Sequence, residues 1–409
     1  MTAPPSLLDA HPEVDAGAAP LPGGPAPSAS RGRPLHVAFC IDNLNGSGGT
    51  ELNAVRTAEA LDPAEVRVTL VSGQADGPMR ARYERAGIRV VPCSPGGSLV
   101  KPAAFAAMRR LAGFFRAEGV DVVHCHDKYS NVFAGLAGRL AGGPRVITSK
   151  RWWTSPLRHE VLNGIAYRAS DRVLVNSAAI IASLRGVEAV RRDRVVVIPN
   201  FVDDVALAPL TDDEARALRA RLGVPADAPL VGCVANLHVE KDHATLVRAF
   251  AALAARHPAW HLVLVGEGSQ REPLAALAAS LGIGGRVHLP GSIPPDRRPH
   301  ALFEISTLPS WHEGFPNSVV EALAAGRPVV ATRVGGIPEL VDGADAGRLV
   351  PVGAVEAMTA ALEELVRDPA RRAAMGARGQ ALIRARYLRS AVLPQLVALY
   401  RALVPAVAR

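Results

Sequence analysis

The sequence predicts an α/β protein of two doubly wound domains, each a mostly parallel sheet covered by helices. Three observations carry this. Short apolar runs of strand length alternate with amphipathic helical patterns along most of the chain. The length, 409 residues, suits about two domains of ordinary size. The segment Ile198-Pro199-Asn200-Phe201-Val202-Asp203 closes the first series, and a second begins after it.

In order, residues 1–34 are rich in Pro, Ala, Gly and Ser without a period, which predicts a disordered tail. A first domain is expected over 35–203. Leu35 to Ile41 is apolar apart from His36 and reads as a buried strand. The glycine-rich turn Gly46-Ser47-Gly48-Gly49 follows and opens a helix from Thr50 to Leu61. It lacks the G-x-G-x-x-G pattern of a dinucleotide fold, which disfavours a nicotinamide-dependent oxidoreductase. Strands are predicted at Val66–Val71, Ile88–Val91, Val120–Cys125, Arg145–Thr148, Arg172–Val175 and Arg194–Ile198, with helices such as Phe105–Arg116 and Ala178–Arg185 between them.

A second domain is expected over 204–385. It runs from the helix Asp212–Leu222 and strand Leu230–Ala235 through helix Thr245–Ala255, strand Leu262–Val265, helix Glu272–Leu281 and strand Arg286–Leu289. The strand Ile305–Leu308 then leads into Ser310-Trp311-His312-Glu313-Gly314-Phe315-Pro316-Asn317-Ser318-Val319-Val320-Glu321. Asn317 is a good N-cap, so Ser318 to Ala325 reads as a helix, stopped by Gly326 and Pro328. A helix N-terminus after a glycine-containing loop attracts phosphate. Glu313 and Glu321, one on each side, would repel a bare phosphate. They suit a ligand with hydroxyls flanking its phosphates, as in a nucleotide-sugar. Residues 386–409 are the last helical segment.

Composition narrows the classes. Apolar residues make up 49% of the chain and the formal net charge is +8. No nucleic-acid-binding signature accompanies that charge, so anionic ligands or an anionic membrane surface are the expected partners, and nucleic acid is not. Cys40, Cys93, Cys125 and Cys233 form no C-x-x-C pair and read as reduced thiols, which points to the cytoplasm, with the inner face of the cell membrane as a second location. No signal peptide and no apolar run long enough to span a bilayer is read from the sequence.

Further constellations lie at strand ends. In Asp121-Val122-Val123-His124-Cys125-His126-Asp127, the two histidines share a face. His124 reads as a core residue. His126, at the carboxyl end where ligands collect, reads as functional. A metal site is not expected, for want of a third ligand. In Asn236-Leu237-His238-Val239-Glu240-Lys241 the Lys241 ammonium can neutralise a diphosphate. Val265-Gly266-Glu267-Gly268 lets a backbone approach closely. Lys150-Arg151-Trp152-Trp153 sets two cations beside two tryptophans, a pattern of headgroup contact, sugar stacking or a packed loop.

Glu313 and Glu321 lie at the E-x7-E spacing of retaining family-four glycosyltransferases, and the residues around them, through Gly335-Gly336-Ile337-Pro338-Glu339, resemble that family. The Gly-Gly-Thr-Glu turn and the Ile198–Asp203 hinge are also similar, the latter with Phe201 for the usual glycine. The resemblance covers nearly everything from Leu35 onward. It implies a GT-B fold, two Rossmann-like domains facing across a cleft, with the last helix crossing back onto the first domain. It implies sugar transfer from a nucleoside-diphosphate sugar to a hydroxyl acceptor (a glycan, a lipid-linked saccharide or a small molecule) with retention and without a cofactor or metal. By that resemblance Gly48, Gly49, Lys241 and the loop and helix start Phe315, Pro316, Asn317, Ser318 and Val319 meet the donor diphosphate. Gly266 and Glu267 meet the nucleobase or ribose, Glu321 the ribose, Glu313 the sugar hydroxyls, and His126 lies near the attacked carbon. Glu313 and His126 are the expected catalytic residues. Many relatives carry Arg at the position of Asn236, which leaves His238 to supply a second charge if protonated. Many also act on lipid-linked acceptors, so peripheral membrane contact through Lys150, Arg151, Trp152, Trp153, Arg158 and the Phe105–Arg116 helix is expected. A non-catalytic partner of the same fold and a nucleotide-sugar epimerase are the alternatives.

Overall fold

A computed structural model describes residues 33–46, 48–96, 101–152, 157–184 and 189–404. Nearly all of the expected tail, and Trp153, lie outside the described residues.

The first seven strands are β1 (Leu35–Asn43), β2 (Val66–Gln74), β3 (Arg89–Pro92), β4 (Val122–Cys125), β5 (Arg145–Lys150), β6 (Arg172–Val175) and β7 (Val195–Val197). They form one sheet in the order β3-β2-β1-β4-β5-β6-β7. The next six are β8 (Leu230–Val234), β9 (His261–Val265), β10 (Val287–Gly291), β11 (Ile305–Leu308), β12 (Val329–Thr332) and β13 (Gly347–Val350). They form a second sheet in the order β10-β9-β8-β11-β12-β13. Every pairing in both sheets is parallel.

Parallel strands covered on both faces need apolar residues on both, and β1 shows why its run is nearly continuous. Val37, Phe39 and Ile41 enter one core cluster, Ala38 and Cys40 the other. Strand order reverses at β1/β4 and again at β8/β11, so each sheet opens a crevice at its carboxyl edge there. Local signals are obeyed where they are strong. The Asp212–Leu222 helix has a Thr211–Glu214 capping box and ends at a left-handed Gly223.

The last helix, Arg389–Leu403, leaves the second sheet and packs on the first. Val392, Leu396, Leu399 and Tyr400 join the same cluster as Val37 and Phe39. The outgoing and returning segments lie side by side: Val202 N–H donates to Tyr387 O (2.9 Å) and Arg389 N–H to Val202 O (3.0 Å). The four cysteines are free, three of them buried. Burial pushes the Cys233 thiol up to about 12. No helix among the described residues is long and apolar enough to cross a membrane.

Several histidines are buried in their neutral form. Burial lowers His124 and His300 to about 3 and His243 to about 4. Between roughly pH 6.5 and 4 the unfolded chain binds a proton at His243 that the native protein does not. That contribution to stability is therefore present above 6.5 and is lost as pH falls, at about 1.4 kcal/mol per pH unit. Denaturant titrations at pH 6 and 4.5 should show His243→Leu to be less acid-sensitive than the parent by that amount per unit. Equal slopes would contradict a neutral His243.

Candidate active site

The loop after β11 is pinned from several directions. Thr332 Oγ1 donates to Ser310 O (2.6 Å), Trp311 N–H to Glu240 O (2.8 Å), and Gly336 N–H to Gly314 O (3.0 Å). Gly335 has φ +51°, and a Cβ there would lie 1.8 Å from Glu313 O, so only glycine lets this turn back the loop so closely. Across the domain junction, Ser177 Oγ donates to Gly314 O (3.1 Å) and Ala179 N–H to Glu339 Oε1 (2.8 Å).

The result is a fixed carboxylate. Glu313 Oε1 accepts from Ser310 Oγ (2.7 Å) and from Lys241 Nζ (2.6 Å). The two charged side chains are only 11% and 23% exposed, so the pair is shielded from solvent. Lys241 arrives from a short turn, Val239–Lys241, just beyond β8, the strand that pairs with β11. The switch point thus brings Lys241 and Glu313 together although 72 residues separate them.

The helix beyond the loop spans Asn317–Ala324 and its N-cap is Pro316, not Asn317 as the sequence suggested. Pro316 O already accepts from Val319 N–H (3.0 Å) and Val320 N–H (3.2 Å), so the first turn closes one residue early. That leaves the Asn317 side chain to bind the hinge, where its Oδ1 accepts from Asn200 Nδ2 (2.7 Å). Phe315 and Val319 pack in the core around the second sheet, and Phe315 also borders a cavity of about 330 Å³ with Pro199 and Glu339. Burial pushes the Glu321 carboxyl up, and Arg56 Nη1 stands 3.5 Å from its Oε1.

Gly48 and Gly49 begin the helix Gly49–Ala60. A Cβ on Gly49 would sit 3.1 Å from Asn317 Nδ2, so the heads of two helices from the two sheets face each other. Each helix head carries partial positive charge, the property that attracts phosphate. Beside it lies a cavity of about 810 Å³, with Gly46, Arg56, Ser292, Ile293, His300 and Glu321 among its walls.

Other expected residues are placed differently. Gly266 and Gly268 have φ +152° and +154°, and a Cβ on either would lie within 2.3 Å of Ala235 O or Leu237 O. Their close approach is to the chain's own backbone, while the Glu267 side chain is exposed. His238 and Asn236 are both exposed. His126 is 1% exposed, its ring stacked on His124 at 4.2 Å and 4.5 Å from Phe39. It borders a cavity of about 20 Å³ with the hinge residues Pro199 and Phe201 rather than the large one. His124 is a core residue held by Tyr400 Oη (2.7 Å) and Ser149 Oγ (3.2 Å). Among the described residues no group of three or more His, Cys, Asp or Glu is placed to hold a metal.

The basic cluster differs from its expected role. Lys150 is 1% exposed and donates to Ser183 O (3.3 Å), because β5 lies inside the sheet between β4 and β6. Arg151 donates to Asn200 Oδ1 (2.9 Å), and burial lowers it to about 10. Lys150 is thus shielded from solvent, and the half-buried Arg151 is tied to the hinge.

Two family models match the chain: Glycosyltransferase Family 4 over residues 47–205 and Glycosyl transferases group 1 over residues 214–382. A GDP-mannose-dependent alpha-(1-6)-phosphatidylinositol monomannoside mannosyltransferase of Mycolicibacterium smegmatis is 31% identical over 312 residues, 72% of this chain and 79% of the relative. This chain belongs to the family 4 glycosyltransferases. A D-inositol 3-phosphate glycosyltransferase of Corynebacterium jeikeium is 30% identical over 362 residues, 81% of this chain and 86% of the relative. In fold, the glycosyltransferase resembles Anabaena HepE, solved in complex with UDP, at a TM-score of 0.79 and 21% identity, over 90% of this chain and 100% of that one. It is a retaining GT-B enzyme that moves a sugar from a nucleotide-sugar donor to a hydroxyl acceptor. These similarities are to transferases, which sets aside the epimerase and the non-catalytic partner. Arg56, Asn200 and Ser310 join this site without a signal in the sequence beyond their neighbours. Glu339 lies in the Gly-Gly-Ile-Pro-Glu run, where nothing local signals its bond across the junction to Ala179.

Proposed function

We propose that the donor diphosphate lies between the two facing helix heads, at Gly48-Gly49 and at Asn317, with Lys241 as its cation. The single observation that supports this most is the approach of Gly49 to Asn317 beside the Lys241–Glu313 pair. Glu313, oriented by Ser310 and Lys241, takes the donor-sugar hydroxyls, and Glu321 takes the ribose hydroxyls. Negative charge that develops on the leaving phosphate meets fixed N–H dipoles and an ammonium, which stabilise the transition state more than the bound donor. The leaving phosphate takes the acceptor proton. His126 shapes the first-domain wall near the attacked carbon. The relatives named above act on inositol-containing acceptors, so inositol phosphate is the first acceptor to test, with GDP-mannose and UDP-sugars as donors. Turnover should persist in excess chelator. Complete loss there, restored by magnesium or manganese, would overturn the metal-free reading.

The acceptor side also supports peripheral contact with an anionic membrane, through other residues than Lys150 and Arg151. On the Leu157–Ala169 helix, Leu157, Val161 and Ile165 are 65%, 40% and 46% exposed at intervals of four, one apolar stripe facing outward. Arg158 and Arg168 flank it. The Lys128–Ala141 helix packs beside it and the Pro102–Ala117 helix beyond, adding exposed Leu140 and Phe105. Basic residues near an anionic surface contribute about 1 kcal/mol each. Co-sedimentation with anionic vesicles should weaken with salt and be abolished by Leu157→Glu/Ile165→Glu. Protein that stays in the supernatant at low salt would end this proposal.

A further inference from the structure

We infer that Arg56 is the second cation for the donor diphosphate, supplied across the cleft by the first domain in place of the arginine absent at position 236. The inference rests on the reading of the cleft as the donor site.

Arg56 lies on the Gly49–Ala60 helix, seven residues past its glycine head, and borders the large cavity. Its guanidinium stands 3.5 Å from Glu321 Oε1, and the side chains are 20% and 18% exposed. Glu321 is four residues into its own helix, a backbone rise of about 6 Å from the helix head at Asn317, so its partner Arg56 belongs to the first turns of that helix. Of the other arginines of the cavity, Arg82, Arg298 and Arg389 are committed to Glu59, Glu214 and Asp203, and Arg221 donates to Ser292 O. Arg56 is held by a carboxylate that the ribose hydroxyls would claim.

Charge balance points the same way. Glu313 and Glu321 bring two negative charges, Lys241 and Arg56 two positive ones. With the Glu51 carboxylate beside Gly48 counted as well, the site is already net negative when the doubly negative diphosphate arrives, and without Arg56 it would be more so and repel it. Asn236 brings no charge, and His238 is exposed at the start of the turn that carries Lys241. When ribose engages Glu321, the flexible Arg56 stem turns toward the helix head and its planar fork meets phosphate oxygens, a geometry to which guanidinium is suited.

Calorimetry with GDP and UDP, against GMP and UMP, tests this. Arg56→Ala should weaken the diphosphate that binds by about 10- to 100-fold and its monophosphate by less than about 3-fold. Arg56→Lys, which keeps the charge but not the fork, should lose less than Arg56→Ala, and Asn236→Arg should recover most of the affinity in the Arg56→Ala background. Equal losses for mono- and diphosphate, unchanged diphosphate affinity, or no recovery by Asn236→Arg would each overturn the proposal. Thermal midpoints identify a variant that fails to fold, and Arg56→Lys then carries the test. Glu321→Ala separates the two levels: if it leaves every nucleotide's affinity unchanged, the donor-site reading itself fails.

Discussion

Replacing Glu313 by Gln should lower kcat by about 100- to 1,000-fold, the range for loss of one preorganised group aimed at the reacting centre. The substitution keeps the shape and one hydrogen bond from Ser310, so the loop held by Thr332 and Gly336 should stay in place. What it removes is the charge that fixes Lys241 at 2.6 Å. The ammonium then competes less with the donor-sugar hydroxyls and more freely pairs with phosphate, so donor affinity should hold or rise while turnover falls. That opposite movement distinguishes a reacting-centre role from a structural one, because a collapsed loop would lose both. Steady-state kinetics with saturating acceptor, alongside donor calorimetry, read it. A variant within about 5-fold of the parent in kcat would remove Glu313 from the chemistry.

Glu321→Ala should weaken donor binding by about 1.5–3 kcal/mol, the cost of a hydrogen bond to a charged group. Two effects act together. The ribose loses an acceptor, and Arg56 loses the partner that holds it in the cavity. Burial already pushes the Glu321 carboxyl up, so Glu321→Gln, which mimics the protonated form, should cost less than Ala. Unchanged donor affinity in a folded Glu321→Ala protein would count against the ribose assignment. Because the buried carboxylate is part of the site and not of the core, thermal stability should change little.

Much of this was legible in the chain. The strand positions, the hinge near residue 200 and the loop between Glu313 and Glu321 follow from apolar period, turn residues and spacing, which act over a few residues. The apparent N-cap at Asn317 shows where local reading stops. Asparagine is a good cap in isolation, yet Pro316 closes the turn and Asn317 turns instead to Asn200, 117 residues away. Likewise Lys150 and Arg151 look like a solvated basic patch by composition, and only their place at the end of an inner strand buries Lys150 and half-buries Arg151.

By itself, then, the sequence determined the alternation that makes two parallel sheets, the glycine turn and the two acids of the transferase family, because each is a property of neighbouring residues. Tertiary structure alone decided which groups meet: Lys241 with Glu313, Arg56 with Glu321, Gly49 with Asn317. Those pairings depend on strand order and on how two domains close. Both are set by burial of apolar faces over the whole chain, which no short stretch of sequence encodes.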